Sequence, residues 1–210
     1  MEELIDFSGQ FPPTATPIIV TWLGEALTTN SLLDEIEQTS TRISDLVRAV
    51  KAYTYMDQAQ VQDVDINQGL ETTLAVFNHK LKNMNVLREY APTLPKILAR
   101  GGELNQVWTN LIDNAIDATN GEGTLRLLTR CEQDFVMAEI TDDGDGIPPD
   151  VLPRIFEPFF TTKGVGVGTG LGLDISYRIV QQHGGSIEVQ SQPGHTRFIV
   201  RLPLQSTQLA

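Results

Sequence analysis

From residue 32 onward the chain repeats apolar or small positions at alternating spacings of four and three: Leu32, Ile36, Thr39, Ile43, Leu46, Val50 and Tyr53. This is the seam of a long amphipathic helix, widened by Leu33, Val47 and Met56 toward the face of a bundle. Burying apolar surface is worth roughly 25 cal/mol per Å². The stripe therefore predicts a helical hairpin, a dimer, or both, with packing against its own chain as the alternative. Ahead of it, Pro12, Pro13 and Pro17 exclude regular helix over residues 11–17. Residues 18–27 read as a short helix containing Trp22, and residues 28–31 as a break with an N-cap.

After Asp57 the polar run of residues 58–63 reads as a hinge, and the pattern changes character. Residues 64–66 predict a short strand, and Asn67 an N-cap for a helix to about residue 82, with Leu70, Leu74, Phe77 and Leu81 on one face. Residues 86–90 and 97–100 are strand candidates around Pro92 and Pro95. A second helix is marked by Leu104, Val107, Leu111, Ala115 and Ala118, a stripe at i, i+3, i+7, i+11 and i+14. Strands follow at 124–129, 135–141, 186–191 and 196–202. Helices on one face of a mixed sheet make an α+β two-layer sandwich. The expected division is 1–30 (arm and short helix), 31–60 (long helix) and 61–210 (sandwich domain).

Between these elements lie residues suited to a nucleotide. The apolar positions Phe135, Met137 and Ile140 read as a strand that delivers Asp142 to its end, where Gly144 and Gly146 permit a tight turn before Ile147. A carboxylate there can accept a hydrogen bond from the exocyclic amine of adenine. Gly164, Gly166, Gly168, Gly170 and Gly172 alternate with Val165, Val167, Thr169 and Leu171, then open into a helical pattern at Ile175, Ile179 and Val180. Free amides and the dipole at such a helix start favour phosphate. The order is neither that of a P-loop nor that of a dinucleotide fingerprint. Asn110 and Asn114 sit four apart on the preceding helix, and neutral amide oxygens there suit Mg²⁺.

Charge and cysteine content narrow the partners. The 210 residues hold 15 Lys or Arg against 27 Asp or Glu, a net charge of −12, which excludes nonspecific nucleic-acid binding through a basic face. Polyanion binding must then rest on local donors and a metal. The single Cys131 excludes an internal disulfide and agrees with a reducing cytosol. No apolar run reaches membrane-spanning length and no leader pattern is present, so a cytoplasmic protein is expected.

In this order NLIDNA, DDGDGIP, EPFFTTK and GTGLGL resemble the N, G1, F and G2 boxes of the histidine-kinase catalytic domain in the GHKL superfamily. The likeness spans Asn110 to Leu173 and continues through HGGSIEVQSQPGHTRFIVRLPL. It implies a GHKL-type α/β sandwich with ATP and Mg²⁺ as ligands. Asp142 would hold adenine, with Gly144, Gly146 and Ile147 beside it, and Asn114 would hold the metal, with Asn110 a second candidate. Residues 156–168, from Phe156 to Gly168, would form a lid with Lys163 on the terminal phosphates, followed by Thr169, Gly170, Leu171 and Gly172. Asn110 and Lys163 are the expected catalytic pair. The segment RISDLVRAVKAYTYMDQ resembles the second dimerisation helix of these kinases, which implies a homodimer through residues 31–57, a histidine-bearing helix as phosphoacceptor and a response regulator as partner.

Several positions depart from the family. The histidines are His79, His183 and His195, and none has the acidic neighbour of a phosphoacceptor motif. Asn110 stands where hydrolytic relatives place a general-base glutamate, which favours phosphoryl transfer over hydrolysis. Asp117 and Ala118 replace a basic residue and an aromatic, and Val167 replaces a basic lid residue, so modest affinity is expected. The function read from the sequence is the Mg-ATP-binding core of a sensor histidine kinase. The alternatives are an ATP-driven conformational module and a non-catalytic dimeric adaptor.

Overall fold

A computed structural model of the protein describes residues 15–55, 60–164 and 168–205. The first element is one helix, α1 (Thr16–Tyr55), 40 residues long and therefore about 60 Å from end to end. The break expected at residues 28–31 does not occur. Thr28 and Thr29 turn their hydroxyls back onto the carbonyls of Gly24 and Glu25 at 2.8 and 2.7 Å, so the polar stretch satisfies itself inside the helix. Pro17 lies in the first turn, where a missing N–H costs nothing. Ile18, Trp22, Leu27, Leu32, Leu33 and Ile36 are exposed along α1. The seam expected from Ile43 to Tyr53, with Val47 and Met56, lies outside the described side chains, as do residues 58 and 59 of the expected hinge. No helix among the described residues is long and apolar enough to cross a membrane.

The second unit is the expected α+β two-layer sandwich. Strand β1 (Gln62–Val64) pairs antiparallel with β3 (Ile97–Ala99) as a small separate sheet. The main sheet contains β2 (Met84–Glu89), β4 (Gly123–Glu132), β5 (Phe135–Asp142), β6 (Ser186–Gln192) and β7 (His195–Pro203), in the order β2-β4-β5-β7-β6. Only β2 and β4 run parallel; the other neighbours are antiparallel. Helices α2 (Ile66–Val76), α3 (Gly101–Ala118) and α4 (Gly172–Gln182) cover one face.

The stripe predicted on α3 is buried at Leu104, Val107, Leu111 and Ala115, with Trp108 and Ile112 completing the core face. Several local boundaries differ from expectation: the strand expected at residues 64–66 is β1 at Gln62–Val64, which takes up the end of the expected hinge, and Ile66 opens α2. The cap of α2 is Asp65, whose Oδ1 accepts from the Gln68 N–H at 3.1 Å. Asn67 instead donates to the Ala91 carbonyl at 3.1 Å and accepts from Thr129 Oγ1 at 2.7 Å. The helix ends at Val76, and His79 sits exposed in the turns that follow rather than in the helix.

Strand β5 is buried on both faces beyond Phe135. Val136, Ala138 and Ile140 join the helix-side core, whereas Met137, Glu139 and Thr141 alternate with them and face the other way. The expected grouping of Phe135, Met137 and Ile140 therefore mixes the two faces. Glu139 is tolerated at 4% exposure because Arg126 and Arg197 flank its carboxylate at 3.8 and 3.6 Å, and Thr141 Oγ1 donates to it at 3.2 Å.

Candidate nucleotide-binding site

The end of β5, the C-terminal half of α3 and the start of α4 enclose a cavity of about 550 Å³, within the range of small-molecule sites. At one end is Asp142, the last residue of β5, 4% exposed. Burial pushes its carboxyl up to about 6, the neighbouring Asp143 adds to the rise, and the Gly144 N–H and His195 oppose it. That N–H donates to Asp142 Oδ1 at 3.0 Å and fixes the carboxylate plane.

The turn after Asp142 requires its glycines. A Cβ on Gly144 would lie 2.5 Å from the Ala118 carbonyl oxygen, and one on Gly146, at φ +81, 2.6 Å from that of Gln192. Ile147 N–H donates to Ser191 Oγ at 2.7 Å, and Ser191 Oγ bonds Thr196 Oγ1 at 2.8 Å. Thr196 pairs with Asp142 across β7 and β5 and lines the cavity beside it. Sequence reasoning missed Thr196, because no local pattern announces which strand will lie against β5.

At the other end α4 begins at Gly172 with no side-chain cap, leaving its first amides available to an anion. Asp174, in that first turn, is paired with Arg178 at 2.9 Å. Gly170 adopts φ +67 with an ideal Cβ position 2.4 Å from the Phe159 carbonyl carbon, so the glycine segment lies directly on the Phe-rich one.

Asn110 lies in the wall, but its amide is engaged. Its Nδ2 donates to the Gly172 carbonyl at 2.8 Å and to Ser176 Oγ at 3.0 Å, while its Oδ1 accepts from Gln106 Nε2 at 2.9 Å. It braces α3 against the start of α4. Asn114, one turn on, presents its Oδ1 to Lys163 Nζ at 3.5 Å, and the same ammonium pairs with Asp117 Oδ2. Lys163 is the one basic side chain among the described lining residues, against the carboxylates of Asp113, Asp117, Asp142 and Asp145.

The expected residues Asn110, Asn114, Asp142, Gly146, Ile147, Lys163, Gly168, Thr169, Gly170, Leu171 and Gly172 all line this cavity. Gly144 and Phe156 do not. Gly144 acts from behind as a backbone hub, also accepting from Gly194 N–H at 2.9 Å. Phe156 packs on Tyr177 with ring centroids 5.5 Å apart, and Phe160 takes the place in the lining. Val167 lies outside the described residues.

None of the histidines lines the cavity, although His195 lies near enough to Asp142 to act on its carboxyl. His183 is 2% exposed, accepts from the Arg100 N–H at Nε2 and meets the Ile179 carbonyl at Nδ1, with burial lowering its pKa. Its role is packing. His79 and His195 are exposed, in a turn and at a strand start.

Residues 100–206 match the family described as histidine kinase-, DNA gyrase B-, and HSP90-like ATPase. The sensory histidine kinase/phosphatase NtrB of Rhodobacter capsulatus is 33% identical over 192 residues, covering 85% of this chain and 54% of that protein. The chain thus spans about half of NtrB's length. The nucleotide-free catalytic domain of histidine kinase ThkA superposes with a TM-score of 0.65 at 28% identity, covering 71% of this chain and 99% of that one. Full-length ShkA in complex with AMPPNP gives a TM-score of 0.70 at 26% identity, over 85% of this chain and 39% of that one. With the sandwich, the glycine-bounded cavity and these likenesses together, the chain belongs to the histidine kinase-, DNA gyrase B- and HSP90-like ATPase family.

Proposed function

We propose that this domain is the catalytic core of a two-component sensor histidine kinase, binding Mg-ATP and donating the γ-phosphoryl group to a histidine outside these 210 residues. The observation that carries the reading is one cavity with a buried carboxylate at its base end and uncapped helix amides with Lys163 at its other end. Adenine fits against Asp142 and Thr196, the phosphates along residues 168–172. Phosphoryl transfer needs positioning and charge stabilisation more than covalent help. Asn110 contributes by holding the start of α4 in place, and as an amide it cannot take a proton from water. Transfer is therefore favoured over hydrolysis.

The site residues fit Mg²⁺. Asn114 Oδ1 already has a cationic neighbour in Lys163, and no group of three His, Cys, Asp or Glu among the described residues forms a cage that would suit another ion. Bound there, Mg²⁺ would neutralise phosphate charge while keeping most of its waters. Asn114→Ala should remove most of the metal's contribution to ATP affinity and leave adenine recognition in place. Titrating ATP with and without Mg²⁺ on both proteins checks this; an unchanged metal dependence in the variant contradicts the assignment.

The exposed apolar side chains of α1 support a homodimer through this helix, with a histidine-bearing helix and a response regulator as the further partners and the cytoplasm as the location. Because none of the three histidines sits in a phosphoacceptor setting, the chain alone should bind ATP yet take no label from γ-labelled ATP. Acid-labile label on His79, His183 or His195 would overturn the donor-only reading.

A further inference from the structure

The cavity poses an electrostatic problem. Its described lining carries the carboxylates of Asp113, Asp117, Asp142 and Asp145 against a single ammonium, Lys163, yet its ligand is a polyanion. Asp113 is paired with Lys80 at 2.7 Å. Asp142 is at the base end. Asp117 is the carboxylate whose charge is met from within the lining, and the group that meets it is Lys163 itself, reaching back 46 residues along the chain to α3. The same ammonium lies 3.5 Å from Asn114 Oδ1. Lys163 thus runs its stem beside Gly168 while its ammonium is held on α3.

We infer that Asp117 is a positioning residue that parks Lys163 against Asn114 in the nucleotide-free domain, so that the phosphates must draw Lys163 away from Asp117 as they bind. This rests on the reading above, in which the phosphates lie along residues 168–172. Both partners are about a third or more exposed, at 35% and 41%, so the pair is weak enough to exchange. A stronger, buried pair would hold Lys163 out of reach. Lys80, paired with Asp113, also feels the field of Asp117, so Asp117 keeps a second cation in its surroundings when Lys163 leaves. A divalent cation on Asn114 would compete with the ammonium for the same oxygen and assist that departure.

Removing Asp117 raises polyanion affinity for two separable reasons: Lys163 is freed, and a repulsive charge disappears. A double-mutant cycle separates them. Wild type, Asp117→Asn, Lys163→Met and the double variant are titrated with Mg-AMPPNP and with adenosine, which has no phosphate, with thermal melts confirming that each is folded. Asp117→Asn should tighten AMPPNP about threefold to tenfold, leave adenosine unchanged, and lose most of that gain when Lys163 is also replaced. Asp117→Glu should restore wild-type affinity. An equal gain with and without Lys163 would mean bare repulsion and overturn the proposal, as would no gain at all. If Lys163→Met leaves AMPPNP affinity untouched, Lys163 has no phosphate role, and the site assignment fails along with the proposal.

Discussion

ATP should outcompete GTP for this domain by about tenfold to a hundredfold, and Asp142 should carry the preference. The carboxylate is 4% exposed and its Oδ1 is held by the Gly144 N–H, so it cannot swing away from a mismatched base. Adenine offers it an amine hydrogen, whereas guanine offers a carbonyl oxygen in the same place. A buried acceptor left facing an acceptor costs about 1–3 kcal/mol. Asp142→Asn keeps the shape but can turn an amide N–H₂ toward the base, so the variant should lose most of the discrimination. Competition of each nucleotide against a bound fluorescent analogue measures both ratios; equal displacement from the wild type would contradict the assignment.

The same carboxylate makes a pH prediction. Burial, more than the nearby Asp143, raises its pKa to about 6 in the folded domain. The adenine amine donates to the ionised form. Binding should therefore weaken as pH falls through about 6, by up to tenfold per unit, and the dependence should vanish in Asp142→Asn. Adenosine is the right ligand, since its phosphate-free form does not titrate there, and His195→Gln controls for the neighbouring imidazole. For folding the sign is opposite to that of a salt-bridged aspartate. The raised pKa means the folded state holds the proton more tightly than the unfolded chain, whose value is near 3.8. This group's contribution to stability is present below about pH 4 and is lost as pH rises through about 6.

Gly170→Ala should weaken nucleotide binding by tenfold or more while changing the melting temperature little. The residue stands at φ +67, and a Cβ would sit 2.4 Å from the carbonyl carbon of Phe159, 2.6 Å from its oxygen and 2.7 Å from the Phe160 nitrogen. All three contacts are backbone, so no side chain can rotate aside. The left-handed conformation alone costs a non-glycine residue about 1 kcal/mol, and the clash must separate the glycine segment from the Phe-rich one. Both segments line the phosphate end, which is why the loss falls on binding rather than on the sheet. Gly164→Ala, where nothing lies within 4 Å and φ is not positive, is the matched control and should bind normally.

The parts of this domain that were legible in the sequence are those set by local periodicity. The α3 stripe, the main strands and the glycine turns follow from residues within one element, and so the cavity's walls were named almost completely. What was not legible depends on partners distant in the chain. Thr196 enters the site only because β7 pairs with β5, and Asp117 meets Lys163 only once α3 faces the Phe-rich segment. Phe156 was expected at the nucleotide and instead packs on Tyr177 of α4. The continuous α1 was hidden by four polar residues whose threonines bond back to the helix rather than ending it.

The most direct measurement of the donor role is phosphoryl transfer itself. The domain is incubated with γ-labelled Mg-ATP, alone and with a separate fragment carrying a histidine-bearing dimerisation helix from the same gene's upstream region or from a kinase related to this one. The account predicts acid-labile label on the fragment's histidine, none on the chain itself, and loss of transfer in Gly170→Ala. Tight ATP binding with no label on either component would contradict it, and would identify the domain as an ATP-driven conformational module instead.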